Sequence, residues 1–172
     1  MPDHKIVPTD KEDLEFSYWL FEEAIAYQKR KGYKIWNGYD KAVLQADVRN
    51  RLQYKITDGS HILCIFSVCY SDKVIWGERD RGSAIYLHRV VVNPNYKGLK
   101  LFGKIVDWAR VHARKKNLTY IRMDTWADNP NIIEYYKGFG FKWIGTSTTP
   151  DSEELPIQAR NLSLALLEYT LE

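Results

Sequence analysis

The sequence predicts an α/β fold: a central mixed sheet, partly antiparallel, with helices on both faces. The first observation behind this prediction is a strand–helix–strand unit. An apolar strand begins at Ala84, a helical pattern follows at Leu99–Lys116, and a second strand follows at Thr119–Asp124. Two consecutive strands joined by a helix pair in parallel through a right-handed crossover.

The second observation is a hairpin that precedes this unit. Asp58-Gly59 lies between two strand-like runs, Tyr54–Thr57 and Ile62–Tyr70. Asp-Gly between such runs is a strong hairpin signal, because both residues tolerate a positive φ. The hairpin therefore adds antiparallel neighbours to the parallel pair.

The N-terminal part predicts a short strand and two helices. Lys5–Val7 is the strand. Thr9–Glu12 has capping-box spacing, and Gly32 stands where a helix C′ glycine belongs, so an amphipathic helix is expected between them. Asp40 caps a second helix, whose apolar stripe is Leu44, Val48 and Leu52.

The C-terminal part alternates loops with short elements. Asn129-Pro130 combines an N-cap with proline at the first helical position, which predicts a helix to about Lys137. The remaining assignments are a loop at Ser71–Ser83, a strand at Phe141–Gly145, a loop at Thr146–Gln158 and a last strand at Leu162–Thr170.

Length and composition favour one globular domain over residues 1–172. Hydrophobic residues make up 45% and charged residues 27% of the chain, which is ordinary for a globular protein. The net charge of +3 is too small to indicate nucleic-acid binding. There is no N-terminal apolar signal core, and no apolar run is long enough for a membrane span.

The two cysteines predict a reducing compartment. Cys64 and Cys69 lie in one apolar run. On a strand they would face opposite sides about 16–17 Å apart, too far for a disulfide. Free buried thiols suit a cytoplasmic protein.

The stretch from Ala84 to Phe102 predicts an anion site, because a strand there feeds a helix N-terminus through a turn. One interpretation is a nucleotide-binding P-loop, since Gly98–Lys104 fits G-x-x-x-x-G-K. The next residue is Ile105, however, and not the Ser or Thr that would bind Mg²⁺. This interpretation is therefore disfavoured.

Three motifs support another interpretation. They are V-x-P-x-Y-K-G in Val92–Gly98, D-x-x-x-x-N in Asp124–Asn129 and Y-Y-x-x-x-G-F in Tyr135–Phe141. Together they resemble the GCN5-related N-acetyltransferase (GNAT) superfamily, over about a third of the chain. The resemblance implies acetyl-CoA as the acetyl donor and a primary amine as the acceptor, in a direct ternary complex.

The resemblance also implies a set of cofactor-binding residues. Strand backbone would pair with pantetheine, and the turn with the helix start would bind pyrophosphate. Lys97 keeps the cationic position of the family pattern, whereas Lys100 and Phe102 stand where the pattern has small residues. The implied residues are Val90, Val91, Val92, Lys97, Gly98, Leu99, Lys100, Leu101 and Phe102, together with Asn129 for the pantetheine arm.

Tyr136 matches the family's general acid, which protonates the leaving thiolate of CoA. A base for the amine remains open between His88, Glu78 and water. His88 is preferred, because its intrinsic pKa suits the task and it shares a strand face with Tyr86. The other histidines, His4, His61 and His112, form no metal-ligand spacing.

The acceptor is expected to be a small-molecule or peptide amine, whose identity the sequence leaves open. The sequence also leaves open whether the protein forms a homodimer. No nucleic acid, metal or membrane partner is expected. Aromatic residues are candidates to line the acceptor cleft: Trp36, Tyr39, Trp76 and Trp126. The alternative function is a non-catalytic acyl-CoA-binding or interaction module on the same fold.

Overall fold

Seven strands form one mixed sheet in the residues that the computed structural model describes, which are 3–32, 39–155 and 157–172. Their order is β1-β2-β3-β4-β5-β7-β6. The strands are β1 (Lys5–Pro8), β2 (Gln53–Thr57), β3 (Ile62–Cys69), β4 (Ala84–Val92), β5 (Tyr120–Trp126), β6 (Lys142–Thr148) and β7 (Ser163–Thr170). The flanking α-helices are α1 (Leu14–Arg30), α2 (Lys41–Arg49), α3 (Lys73–Trp76), α4 (Leu101–Lys115) and α5 (Pro130–Lys137).

The predicted mixed sheet is confirmed. β2 and β3 pair antiparallel across the Asp58-Gly59 turn. β4 and β5, which precede and follow α4 in the chain, pair in parallel, from Ala84 opposite Tyr120 to Tyr86 opposite Arg122. β7 then pairs antiparallel with both β5 and β6. The parallel ladder is short, although β4 continues to Val92 and β5 to Trp126.

Several local predictions need correction. Leu52 lies beyond the end of α2 at Arg49, and Thr146–Thr148 belongs to β6 and not to a loop. Ser71–Ser83 is not wholly a loop, since it contains α3 and a 3₁₀ turn at Gly77–Arg79. One helical turn is too short to show a period in sequence, yet its Trp76 is only 2% exposed and holds the turn in place.

The capping box also lies one residue later than predicted. Asp10, not Thr9, accepts from the Glu12 N–H, while Asp13 accepts from the backbone of Asp10, and together they cap a 3₁₀ turn before α1. The Thr9 hydroxyl instead donates to Gln53. Gly32 does follow α1 with φ +70, as predicted for its C′ position.

Contacts divide the chain into two compact units. The first comprises Met1–Ser67, Arg89–Leu101 and Pro156–Gln158. Its core joins α1 and α2 to the sheet through buried apolar residues: Tyr18, Leu20, Phe21, Leu44, Ile65 and Val91. The second comprises Val68–His88, Phe102–Leu155 and Ala159–Glu172. One of its cores consists of Trp76, Ala84, Tyr86 and Leu166. The expectation of a single domain over 1–172 stays a prediction.

Both cysteines are free, as predicted. Burial raises the pKa of the Cys64 thiol to about 12, which makes it unreactive. Among the described residues, none of the helices is long and apolar enough to cross a membrane. The cytoplasmic location stays a prediction.

Candidate functional site

The turn after β4 is anchored within the first unit by Asn93. Its N–H donates to the Leu63 carbonyl at 2.8 Å and its side-chain amide to the Ile62 carbonyl at 2.9 Å. Its side-chain oxygen accepts from the Asn95 N–H and starts a 3₁₀ turn at Pro94. These bonds give the predicted pyrophosphate-binding segment a defined starting point.

The backbone beyond this turn adopts two left-handed conformations, with φ +83 at Gly98 and φ +54 at Lys100. Glycine adopts such angles freely, whereas other L-residues do so at a cost. Lys100 therefore has the kind of backbone conformation that favours the small residue of the family pattern. Lys97, Gly98, Leu99 and Lys100 are all exposed, and the Lys97 ammonium lies 3.6 Å from the centre of the Tyr27 ring.

The seven residues of the P-loop pattern do not form a loop. Leu101 to Lys104 lie in the first turn of α4, where Leu101 is only 4% exposed. The first N–H groups of a helix lack intrahelical partners and attract anions. The segment therefore offers the N-terminus of a helix, and not the loop with which a P-loop surrounds a phosphate.

Phe102 is a packing residue of the second unit. It is 7% exposed, and its ring contacts other aromatic rings with centroid distances of 5.0–6.3 Å. These rings belong to Tyr135, Tyr136, Phe139 and Phe141. The side chain that replaces a small residue of the family pattern therefore packs against α5 and the segment between α5 and β6.

Tyr136 lies in this cluster, 5.0 Å from Phe102 between ring centres. It is half-buried, whereas its neighbour Tyr135 is 51% exposed. Burial first, and then the nearby Tyr135 and Asp124, raise the pKa of Tyr136 to about 12. Its hydroxyl therefore keeps its proton throughout the neutral range.

Asn129 caps α5, as predicted. Its side-chain oxygen accepts from the Ile132 N–H at 3.2 Å, and Pro130 follows at the start of the helix. Gly140 is the glycine of the motif that contains Tyr136, and its φ is +100. A Cβ there would lie 2.8 Å from the Tyr169 ring, so both the backbone and the space require glycine.

His88 lies beside two carboxylates of the same unit. Its Nε2 is 3.2 Å from Asp72 Oδ2, and one ligand atom from each of Asp72, His88 and Asp124 lies within 4.8 Å of the others. Burial disfavours the charged ring, but Asp72, Cys69 and Asp124 outweigh it and raise the pKa of His88 to about 10. The imidazole is consequently protonated at neutral pH.

A hydrogen-bond network holds the segment that carries Asp72. Asp80 accepts from the Ser71 hydroxyl, the Asp72 N–H and the Tyr86 hydroxyl, at 2.8–2.9 Å. Tyr86 in turn accepts from Arg122 at 3.1 Å. Asp80 thereby connects the loop before α3 to strands β4 and β5.

Arg122 lies at the other end of this hydrogen-bond network and is buried. It is 5% exposed, and it forms a two-pronged ion pair with Glu168 of β7 at 2.9 Å. It also donates to the Arg79 carbonyl, and its guanidinium lies 4.7 Å from the Trp76 ring. Arg122 and Glu168 line a cleft of about 750 Å³, together with Trp76 and Glu78.

The structure groups the predicted residues within each unit. Val90–Val92 and Lys97–Leu101 belong to the first unit; His88, Phe102, Asn129 and Tyr136 belong to the second. Of the aromatic candidates for the acceptor cleft, Tyr39 packs on Tyr18 and Phe21, Trp76 lines the cleft described above, and Trp36 lies outside the described residues.

Three residues that sequence reasoning left without a role are Asp72, Asp80 and Arg122. Asp72 and Asp80 are in a segment that is typical of a polar loop, and Arg122 lies between the apolar residues Ile121 and Met123 of a strand. The charge of Arg122 between these neighbours was the available signal, because a buried strand Arg needs a partner.

The family model described as "Acetyltransferase (GNAT) family" matches residues 33–141. Because the match covers more than half of the chain, the protein belongs to the GNAT acetyltransferase family, as its motifs predicted. Members are acyltransferases that act on small-molecule or peptide amines, with acetyl-CoA as the acetyl donor. The predicted donor is thereby confirmed.

Individual relatives agree with this placement. The uncharacterised N-acetyltransferase YesJ of Bacillus subtilis (strain 168) is 28% identical over 78 residues, which are 45% of this chain and 43% of YesJ. The chain thus matches less than half of the length of that relative.

Solved structures share the fold. A GNAT-family acetyltransferase from Listeria monocytogenes 4b F2365 has a TM-score of 0.79 at 16% identity, over 98% of this chain and 95% of that one. The yncA protein of Salmonella typhimurium, solved with its cofactor acetyl-CoA, has a TM-score of 0.66 at 17% identity, over 98% and 94%. These likenesses support the predicted GNAT-like sheet with flanking helices.

Proposed function

We propose that this protein transfers the acetyl group of acetyl-CoA to a primary amine by direct attack in a ternary complex. The observation that carries the proposal is Tyr136, a half-buried phenol that packs against the rings of Phe102 and Tyr135. When bound, acetyl-CoA supplies a thioester whose carbonyl the amine attacks and whose thiolate leaves.

Tyr136 acts as the general acid in this proposal. Its Oη keeps a proton at neutral pH and can donate a hydrogen bond to the departing thiolate as the thiolate takes up a proton. The rings of Phe102 and Tyr135 pack against it and limit its rotation. A protonated donor that is already oriented needs no rearrangement at the moment of reaction.

The residues of the β4–α4 segment fit an acyl-CoA. We propose that the main chain of Val90–Val92 binds pantetheine as an added strand, with one of its N–H groups polarising the thioester carbonyl. Lys97 and Lys100 are exposed cations on either side of Gly98, and the helix start follows at Leu101. Cations and free N–H groups together suit a pyrophosphate. Asn129 is proposed to contact the pantetheine arm.

His88 stays the proposed acceptor for the proton of the attacking amine, with Glu78 and water as alternatives. An imidazolium has no lone pair for a proton, so this role has a consequence. Turnover should climb with pH towards about 10, the value to which the pKa of His88 is raised. His88→Gln should remove that climb for one and the same amine, whereas a water or Glu78 route would leave it in place.

Comparison of Tyr136→Phe with Tyr135→Phe tests the central assignment. Both changes keep the ring and remove one hydroxyl, but only Tyr136 is assigned to the chemistry. We expect Tyr136→Phe to lower kcat by about 100-fold or more, while Tyr135→Phe stays close to the parent protein. CoA release is measured with acetyl-CoA and a panel of primary amines.

The outcome also separates an enzyme from a binding module. If no amine stimulates CoA release although acetyl-CoA binds, the non-catalytic interpretation replaces this proposal. Unchanged turnover in Tyr136→Phe would remove the general-acid role but leave the acetyl transfer itself intact.

A further inference from the structure

The cluster formed by Asp72, His88 and Asp124 combines one imidazole and two carboxylates. They come from three different elements: the loop before α3, strand β4 and strand β5. One ligand atom of each lies within 4.8 Å of the others. Tetrahedral Zn²⁺ with bonds of about 2.0–2.2 Å places its ligand atoms about 3.4 Å apart, so side-chain rotations must draw the three groups together around one ion.

The cluster contains a buried oxygen whose close partner is the ring of His88. Asp72 Oδ2 is inaccessible to solvent and accepts no well-directed hydrogen bond from the described residues. His88 Nε2 is 3.2 Å away and contributes charge, but not an aligned N–H. A buried acceptor without an aligned donor is unfavourable, and a cation between the three side chains would satisfy it.

The ligands are also held in place. Asp72 and His88 side chains are only 13% and 19% exposed, and the N–H of Asp72 is bound to the Asp80 carboxylate. Asp80 is itself fixed by Ser71 and Tyr86. A preorganised second layer of this kind is what fixes metal ligands in proteins.

We propose that Asp72, His88 and Asp124 form a binding site for one divalent first-row transition-metal cation, with Zn²⁺ as the representative ion. Two carboxylates and a neutral imidazole offer two negative charges, which a divalent cation cancels. Imidazole favours Zn²⁺ over Mg²⁺, which prefers an all-oxygen shell. The ion occupies the lone pair of His88 and therefore competes with a proton on that ring.

This site shares His88 with the acetyl-transfer proposal, but its test is independent of that proposal because binding is measured without substrate. Titration calorimetry of Zn²⁺ into the untagged protein should show one equivalent bound per chain, with Mg²⁺ at least about tenfold weaker. Asp72→Asn, His88→Gln and Asp124→Asn should each weaken Zn²⁺ binding by about tenfold or more.

The chain offers a matched control in the hairpin. His61 and Asp58 form a second His–Asp pair, with Nδ1 3.3 Å from Oδ2, but the His61 side chain is 60% exposed and the pair belongs to no three-ligand group among the described residues. His61→Gln should leave Zn²⁺ affinity unchanged. A loss of affinity in His61→Gln equal to that in His88→Gln would overturn the proposal.

The parent protein gives an independent readout if a variant fails to fold. Imidazole NMR signals of His88 should shift on adding one equivalent of Zn²⁺, and those of His61 should not. No saturable binding, or retained binding in all three ligand variants, would disprove the site.

Discussion

Lys100 shows how a single residue can depart from a family pattern and keep its backbone conformation. Its φ of +54 is left-handed, where a Cβ is unfavourable and glycine is not. The side chain is exposed, so the substitution adds a cation to the proposed pyrophosphate segment without burying it. Phe102 departs differently, since its ring enters an aromatic cluster and leaves the backbone of α4 helical.

Replacement of Lys100 by glycine should stabilise the protein relative to replacement by alanine. Both changes remove the charge, but only glycine relieves the left-handed strain, which amounts to about 1 kcal/mol. Urea unfolding of Lys100→Gly and Lys100→Ala measures the difference. Equal stability of the two variants would mean that φ is not positive there in solution.

His88 makes stability depend on pH in a defined direction. Its folded pKa, raised to about 10, exceeds the ordinary value of 6.5. The native state thus holds a proton that the unfolded chain has lost. This contribution is complete below about pH 6.5 and is lost as the pH rises through about 10.

The free energy of unfolding should accordingly fall between these values, with EDTA present to exclude metals. Asp72→Asn and His88→Gln should both flatten the fall, because the first removes the ion pair and the second removes the titrating ring. Chemical denaturation over a pH series is the measurement. Parallel pH profiles for the parent and both variants would contradict the ion pair.

At the scale of elements, the segment between β3 and β4 depends on one carboxylate. Asp80 is 8% exposed and accepts three hydrogen bonds, from the Ser71 and Tyr86 hydroxyls and the Asp72 N–H. Burial by itself would raise its pKa, but these donors and Lys73 lower it below the ordinary value of 3.8. The α3 segment is therefore attached to the sheet through Asp80 as well as through Trp76.

Asp80→Asn should loosen this segment. The amide keeps one acceptor oxygen but places an NH₂ group opposite groups that also donate hydrogen bonds. We therefore expect the free energy of unfolding to fall by about 1–3 kcal/mol. Since Asp72 then loses its support, the pKa of His88 should also fall, as measured by NMR titration. The exposed Asp151 provides the control, where Asn should change stability by less than about 0.5 kcal/mol.

At the scale of the whole molecule, family membership predicts which nucleotide stabilises the fold. Acetyl-CoA at about a hundredfold excess over its Kd adds about 2.7 kcal/mol, which corresponds to a Tm increase of about 5–10 °C for a chain of this size. ATP with Mg²⁺ should leave Tm unchanged, because the P-loop pattern lies partly in α4. A shift with ATP-Mg²⁺ and none with acetyl-CoA would refute the proposed cofactor site.

Much of the fold could be predicted because its signals are local. The Asp58-Gly59 turn, the Asn129-Pro130 cap and Gly32 each act on residues within a few positions of themselves. The one-turn helix α3 was not predicted, because four residues are too few to show a helical period. Its position is decided by the burial of Trp76, which is a tertiary interaction.

The sequence by itself determined most of the elements and the family, and it is the basis of the roles proposed for Tyr136 and Asn129, because these depend on short motifs. Only the tertiary structure decided that His88 pairs with Asp72 and lies beside Asp124, and that Arg122 bridges Glu168 and Tyr86. These partners are far apart in the chain. Strand register and packing bring them together, and no local pattern encodes either. The same packing places two carboxylates beside His88 and raises the pKa of its imidazole.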